Sequence, residues 1–283
     1  MCIRDRPDDL RAEPSVARAL VAAGLFDASG APPRVSVPYW IARDNAGAVY
    51  GYSTFTGYVS LTLGRVWAYL HDVLAIARPD IENTYPSAEI YARGPFPYDT
   101  MNLRLGVDPG TGALVVRPQP DPRAYVVGRA RAVGDWREAL RLLAAGHDPH
   151  AEALVESPLD LPGAAGAAGT AAITRFRPEE ILVAVDAPAP GLLVLAEAWF
   201  PGWEATIAGQ PAPCVPANVW MRAVPVPAGR SEVRLRYRSR YLPAGAAISL
   251  AALAALFVTG ALRARPSRPG AAPPLPDPGP SRP

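Results

Sequence analysis

The chain has 283 residues, about half of them apolar, and its 28 basic residues against 26 acidic ones leave a net charge of only +2. That apolar share is ample for a buried core, and so even a balance gives no electrostatic reason to expect a nucleic-acid partner. Cys2 and Cys214 are the only cysteines, which excludes a disulfide framework and a cysteine-rich metal site.

The first six residues, MCIRDR, carry no apolar core or small-residue cleavage site of a signal peptide. They resemble translated sequencing adapter, so residues 1–6 are expected to be an artefact and the protein to continue upstream. All the basic residues are arginine in a background rich in Ala, Pro and Gly, a pattern of GC-rich coding rather than of function.

Residues 7–160 read as a mixed α/β region. A short helix is expected over 14–26 with Leu20, Val21 and Leu25 on one face, then a strand over 34–40. The longest soluble-type helix is expected over 58–77, where Leu63, Val66, Trp67, Leu70 and Leu74 recur at helical spacing. Arg65 and Asp72 interrupt any membrane reading of it. Short strands follow at 113–118 and 123–128. Then comes a helix over 135–146, with Asp135 as N-cap, Glu138 at capping-box spacing and Gly146 as its stop.

The composition then shifts. LPGAAGAAGTAA, residues 161–172, reads as a linker. After it, 173–241 reads as a small antiparallel β-sandwich with strands at 179–187, 191–200, 203–208, 219–227 and 231–241. In the last of these Val233, Leu235 and Tyr237 alternate with Arg234, Arg236 and Arg238, which predicts a half-buried strand with a cationic outer face.

Residues 243–263 read as one transmembrane helix, because the uncharged run 244–262 spans roughly 28 Å against a hydrocarbon core of about 30 Å. Small residues at Gly245, Ser249, Ala247, Ala251 and Ala255 fall at the spacing of membrane-helix contacts. A buried helix of a soluble domain is the competing reading. The proline-rich tail, 264–283, reads as disordered. Arg263, Arg265 and Arg268 beyond the span favour a cytoplasmic tail and an extracytoplasmic body at the bacterial cell membrane.

Catalytic signals are sparse. No phosphate loop, nucleophile elbow or zinc-protease helix occurs. His147, Asp148 and His150 could ligate a metal only with a third strong ligand, and a solvated loop fits better. His71 reads as a surface or interface residue and Glu197 as a surface carboxylate. The neighbours Asp8–Asp9 and Glu179–Glu180 would point to opposite faces of a strand and so not work as a pair. No catalytic, metal or cofactor-binding residue is therefore assigned. Trp199, Trp203 and Trp220 lie close together in a β region, and core filling competes with sugar stacking for them. With Arg222 they are the candidate glycan contacts, and Trp203, next to a Pro-Gly turn, is the best candidate for partial exposure.

The segment from Gly191 to Gly245 resembles the C-terminal end of bacterial YfhO-type membrane proteins, multi-spanning proteins grouped with C-type glycosyltransferases. The resemblance rests on Phe200-Pro201-Gly202-Trp203, Gly209, Asn218 with Trp220, Ala223–Gly229 with Pro227 and Gly229, and Arg236-Tyr237. It is dense after residue 190 and looser over 14–190. Ala208 stands where the family's hairpin has Asp, and Ser231 where it commonly has His.

The resemblance implies sugar transfer from a polyprenyl-phosphate donor to a cell-envelope polymer, with the catalytic acid in an early extracytoplasmic loop that this chain does not carry. On this reading the fragment has no cofactor of its own, caps a catalytic membrane bundle and contacts acceptor glycan. The alternative is a tail-anchored, non-enzymatic carbohydrate-binding or scaffold module. A soluble hydrolase lacks both nucleophile and base.

Overall fold

The structure is a computed structural model that describes residues 15–26, 28–37, 47, 50–54, 63–74, 98–107, 111–116, 122–159, 168–239 and 241–263. The readings of 1–6, Asp8–Asp9, 38–40, 58–62, 75–77, 161–167 and 264–283 lie outside the described residues. Within them the chain is mixed α+β, mostly strands in several sheets, and ends in an apolar helix.

A small first sheet has the order β2-β1-β3-β4, formed by β1 (Arg34–Val35), β2 (Ser53–Thr54), β3 (Leu103–Val107) and β4 (Leu114–Val116). Helix α1 (Ser15–Ala22) packs here through Val16 and Leu20 onto Val35 and Leu105. Of the expected face, Leu20 and Leu25 pack on this cluster, whereas Val21 is 67% exposed. Val16, four residues before Leu20, takes the inward position instead.

The second sheet has the order β5-β10-β14-β13-β7-β6. Its strands are β5 (Ala124–Val127), β6 (Ala130–Ala132), β7 (Ala153–Val155), β10 (Gly191–Leu195), β13 (Val215–Ala217) and β14 (Met221–Val226). The third, antiparallel throughout, has the order β12-β11-β15-β9-β8, from β8 (Thr170–Arg177), β9 (Glu180–Ala187), β11 (Trp203–Ile207), β12 (Gln210–Ala212) and β15 (Gly229–Tyr237). Val126, Leu193, Leu195 and Val224 of the second sheet share one core with Val183, Val185, Val233 and Leu235 of the third.

Leu192 and Val194 face the other way, onto Leu140 and Leu143 of helix α2 (Trp136–Ala144) and onto Tyr69 and Trp220. With both faces covered, β10 is buried at all five positions, which is why GLLVL carries no polar alternation. The cationic outer face expected on β15 is present: Val233 and Leu235 are fully buried, Arg234 and Arg236 exposed.

The five strands expected after the linker divide between these two sheets rather than forming a self-contained unit. β10 pairs with β5, and Ala217 of β13 pairs with Val155 of β7. Residues 170–172 of the expected linker are the start of β8, a strand whose small residues pair with β9. Low side-chain complexity concealed an edge strand.

The helix expected over 58–77 is, over its described part, a short α3 (Gly64–Ala68) running into a π-helical turn at Tyr69–Val73. Leu70 and Leu74 point inward, but Leu63 and Trp67 are more than one third exposed. The extra residue of the π turn shifts the face, so one 3.6-residue stripe does not run through. The α2 cap is as expected: Asp135 Oδ1 accepts from the amides of Arg137 and Glu138 at 3.0 and 2.9 Å, while Glu138 accepts from Gly134 at 2.7 Å.

Helix α4 (Leu242–Arg263) belongs to a unit separate from the body. Its 19 residues Leu242–Gly260 have a mean hydropathy of 2.0 and are exposed throughout, so the helix is long and apolar enough to cross a membrane. The Thr259 hydroxyl donates back to the Ala255 carbonyl at 2.9 Å, which hides a polar group within the helix.

Candidate functional site

The stretch after β10, residues 197–203, links two clusters. The first is ionic. Glu197, two residues past the end of β10, lies between Arg34 of β1, at 2.7 Å, and Arg123, in front of β5. Arg34 also donates to the Met101 carbonyl at 3.1 Å and Arg123 to that of Pro32 at 2.8 Å. Expected on the surface, the Glu197 side chain is only 12% exposed. The arginines that bury it come from positions 163 and 74 residues away, beyond any local pattern.

Burial works to raise the Glu197 carboxyl, but Arg34, Arg123 and Arg222 together hold it below the ordinary carboxylate range. Burial pushes Arg34 down to about 9 against the pull of Glu197, so it stays charged at neutral pH. Arg222, 4% exposed, lies over the Trp203 ring at 3.7 Å, with its Nε and Nη1 lacking a hydrogen-bond partner among the described residues. It too is pushed down by burial, to about 10. The Cys214 thiol beside it is pushed up to about 11 by burial, which makes it a poor nucleophile.

The second cluster is an apolar cleft of about 290 Å³ walled by Trp136, Trp199, Trp220, Phe200, Pro201 and Val66. Arg65 of α3 stands at its side, bound through both guanidinium nitrogens to the two carboxylate oxygens of Glu156. Its guanidinium carbon lies 5.3 Å from the Trp199 ring centre and 5.9 Å from that of Trp136.

Arg65 also donates to the Val219 carbonyl at 3.2 Å. Val219 has φ +75° and closes a γ-turn in which the Trp220 amide donates to the Asn218 carbonyl at 3.0 Å. This is the strained hand of that turn, held in a β-branched residue with no exposed surface. The Trp199 amide then donates to the Trp220 carbonyl at 2.7 Å, so two walls of the cleft are tied by backbone.

The four candidate glycan contacts therefore separate. Trp199 and Trp220 meet in the cleft. Trp203 packs on the other side, against Arg222, Tyr237 and the inter-sheet core. Trp203 is half-buried as expected, but it and Arg222 are packing partners. Trp220 is 2% exposed, so it floors the cleft rather than standing out from it. Trp136, Arg65 and Glu156 carried no signal in the sequence beyond the bare presence of an aromatic and two charges.

The motif residues have structural duties. Ala208 (φ +49°) and Gly209 (φ +79°) are the central pair of the hairpin joining Ile207 to Gln210. Gly202 has φ +114°, and a side chain there would meet the Arg238 carbonyl at 2.6 Å. Pro201 and Pro227 are exposed, and Gly229 opens β15 at φ +89°.

Among the described residues, no group of three or more His, Cys, Asp or Glu is placed to hold a metal ion. His147 bonds through Nε2 to the Glu152 carbonyl at 2.8 Å, and the His150 ring lies 4.3 Å from that of Tyr125. His71, expected at a surface or interface, is 8% exposed beneath Trp67 at 4.2 Å between ring centres. No protein-family profile, curated protein or solved structure matches this chain.

Proposed function

We propose that this chain is the extracytoplasmic, membrane-anchored accessory portion of a glycosyltransferase-like envelope protein, and that it holds glycan in the Trp136–Trp199–Trp220 cleft. The observation that carries this reading is the cleft itself: indole walls with a bidentate Arg65–Glu156 pair at the side. Aromatic faces offer stacking surface to the C–H face of a sugar ring, and the fixed charges offer hydrogen bonds to its hydroxyls. At about 290 Å³ the cleft suits a terminal sugar unit rather than an enclosed polymer. The arrangement favours binding over transfer, because among the described residues no carboxylate lines the cleft and the nearby Glu156 is tied up by Arg65.

On this reading the second and third sheets make the β-sandwich on which the cleft is built, and α4 is the anchor at the bacterial cell membrane with the tail cytoplasmic. The transferase chemistry and its polyprenyl-phosphate-linked sugar belong to a membrane bundle outside this chain. A tail-anchored, non-enzymatic carbohydrate-binding module is the second reading, and the same cleft supports it.

Glycan-array binding by the detergent-solubilised chain tests the cleft. Trp199→Ala should weaken binding by about tenfold or more, the equivalent of about 1.4 kcal/mol. Trp203→Ala should lower stability yet leave binding per folded molecule unchanged. Loss of binding with Trp203→Ala and not with Trp199→Ala would place the sugar elsewhere and sink the proposal.

A further inference from the structure

The turn Phe200-Pro201-Gly202 sits at the end of the body from which the chain leaves for α4. Trp203 opens β11 opposite Tyr237, the last residue of β15. The Arg238 amide donates to the Gly202 carbonyl at 2.7 Å. Tyr237 packs against both aromatic residues of the turn, 6.4 Å from Phe200 and 5.6 Å from Trp203 between ring centres. Only three residues of chain then separate Arg238 from Leu242, the start of the apolar helix, a reach of at most about 14 Å over the four steps.

What the turn presents is apolar: Phe200 is 44% exposed and Pro201 is exposed beside it. Arg236 on β15 and Arg238 just past it are exposed at the same end, where Arg238 meets the exposed Glu204 at 3.5 Å. An aromatic turn flanked by arginines, within a few residues of a membrane span, has the composition of a segment that sits at the bilayer–water boundary. There ring edges lie among glycerol and acyl carbonyls while guanidiniums reach lipid phosphates.

We infer that the Phe200–Trp203 turn is a membrane-contacting tip, which rests in the phospholipid headgroup layer of the bilayer crossed by α4. The inference rests on the membrane-anchored reading above and goes beyond it, since an anchor alone leaves the body free of the lipid. Because Phe200 and Pro201 also wall the cleft, contact brings the cleft to headgroup level. Gly202 keeps the tip shaped: its positive φ and its closeness to the Arg238 carbonyl fix the turn to the exit of β15.

The test uses the full chain with Cys2→Ser and Cys214→Ser, reconstituted in nanodiscs of phosphatidylcholine and phosphatidylglycerol. Single nitroxide labels are placed at Phe200→Cys, at Asp186→Cys, which pairs with the opposite end of β15, and at Leu253→Cys within α4. Collision with oxygen, which partitions into lipid, is compared with collision with a water-soluble nickel chelate. The oxygen-to-nickel ratio at Phe200 should lie several-fold above that at Asp186 and below that at Leu253. A ratio at Phe200 equal to that at Asp186 overturns the inference. So does shielding from both reagents, which would mean a protein neighbour in place of lipid.

A water-like ratio at Leu253 would overturn the anchoring reading itself, and the inference with it; failure at Phe200 alone leaves the anchor standing. A label at Pro201→Cys repeats the measurement should the Phe200 variant fail to fold.

Discussion

Asn218 binds Leu154 as though it were a stretch of neighbouring strand. Its amide donates to the Leu154 carbonyl at 2.8 Å, and its side-chain Oδ1 accepts from the Leu154 amide at 2.9 Å. Its Nδ2 donates to the Tyr125 hydroxyl at 3.2 Å. The residue is fully buried and left-handed, with φ +47°, a conformation that asparagine tolerates better than most residues. One side chain therefore completes a ladder that β13 leaves unfinished at its end.

Asn218→Ala should destabilise the protein by about 2–4 kcal/mol, since it strands a buried amide at Leu154 and places alanine in a left-handed conformation. Asn218→Gly should recover only the conformational part. Guanidinium unfolding of the detergent-solubilised chain, followed by near-UV circular dichroism, separates the two. Equal losses in both variants would mean that the left-handed conformation costs alanine nothing, and a glycine variant as stable as the parent would mean that the side-chain hydrogen bonds contribute nothing.

The Glu197 cluster sets an acid limit. The carboxyl of Glu197 is held below its ordinary range in the fold, so the unfolded chain binds more protons as the pH falls through that interval. Its stabilising contribution is fully present above the unfolded-state value of about 4.3 and is lost as pH falls through the lower folded value. The apparent Tm should therefore drop on acidification below about pH 4.5. Glu197→Gln should flatten that part of the profile while lowering stability at pH 7 by about 3 kcal/mol, because Arg34 and Arg123 lose their buried countercharge. A variant with wild-type slope would show that other carboxylates set the limit.

Two glycines with positive φ should respond differently to alanine. At Gly202 the added carbon would lie 2.6 Å from the Arg238 carbonyl, whereas at Gly209 it meets nothing within 4 Å. Gly209→Ala should cost about 1 kcal/mol, the conformational term alone. Gly202→Ala should cost at least about 2 kcal/mol, because the turn must move away from β15 to admit the carbon. The ratio of the two losses in one unfolding series is the readout. Parity would mean that the turn yields freely.

Much of the β structure was legible because it follows a local rule. Val233, Leu235 and Tyr237 alternate with arginines, and Asp135 and Glu138 stand at cap spacing. The hairpin at Ala208-Gly209 followed from its glycine. The candidate site was only half legible. Trp199 and Trp220 could be named from their neighbourhood in sequence, but Trp136 reaches the same cleft from a helix, and Arg65 with Glu156 joins over 91 residues. The burial of Glu197 likewise depends on Arg34, 163 residues earlier. Charge in a sequence says nothing of which opposite charge it will meet. The π turn after α3 was hidden for another reason: periodicity assumes 3.6 residues per turn, and Tyr69–Val73 does not keep to it.

The strand order β5-β10-β14-β13-β7-β6 has a consequence for how the chain is made. Leu154 waits for Asn218 across 64 residues, about 3–13 s of synthesis at 5–20 residues per second. Until then β7 has the parallel neighbour β6 on one side and nothing of its own on the other. A ribosome that stalls between the two would leave that open edge bare, and a sticky nascent chain is the physical cost of a sheet whose middle is written last.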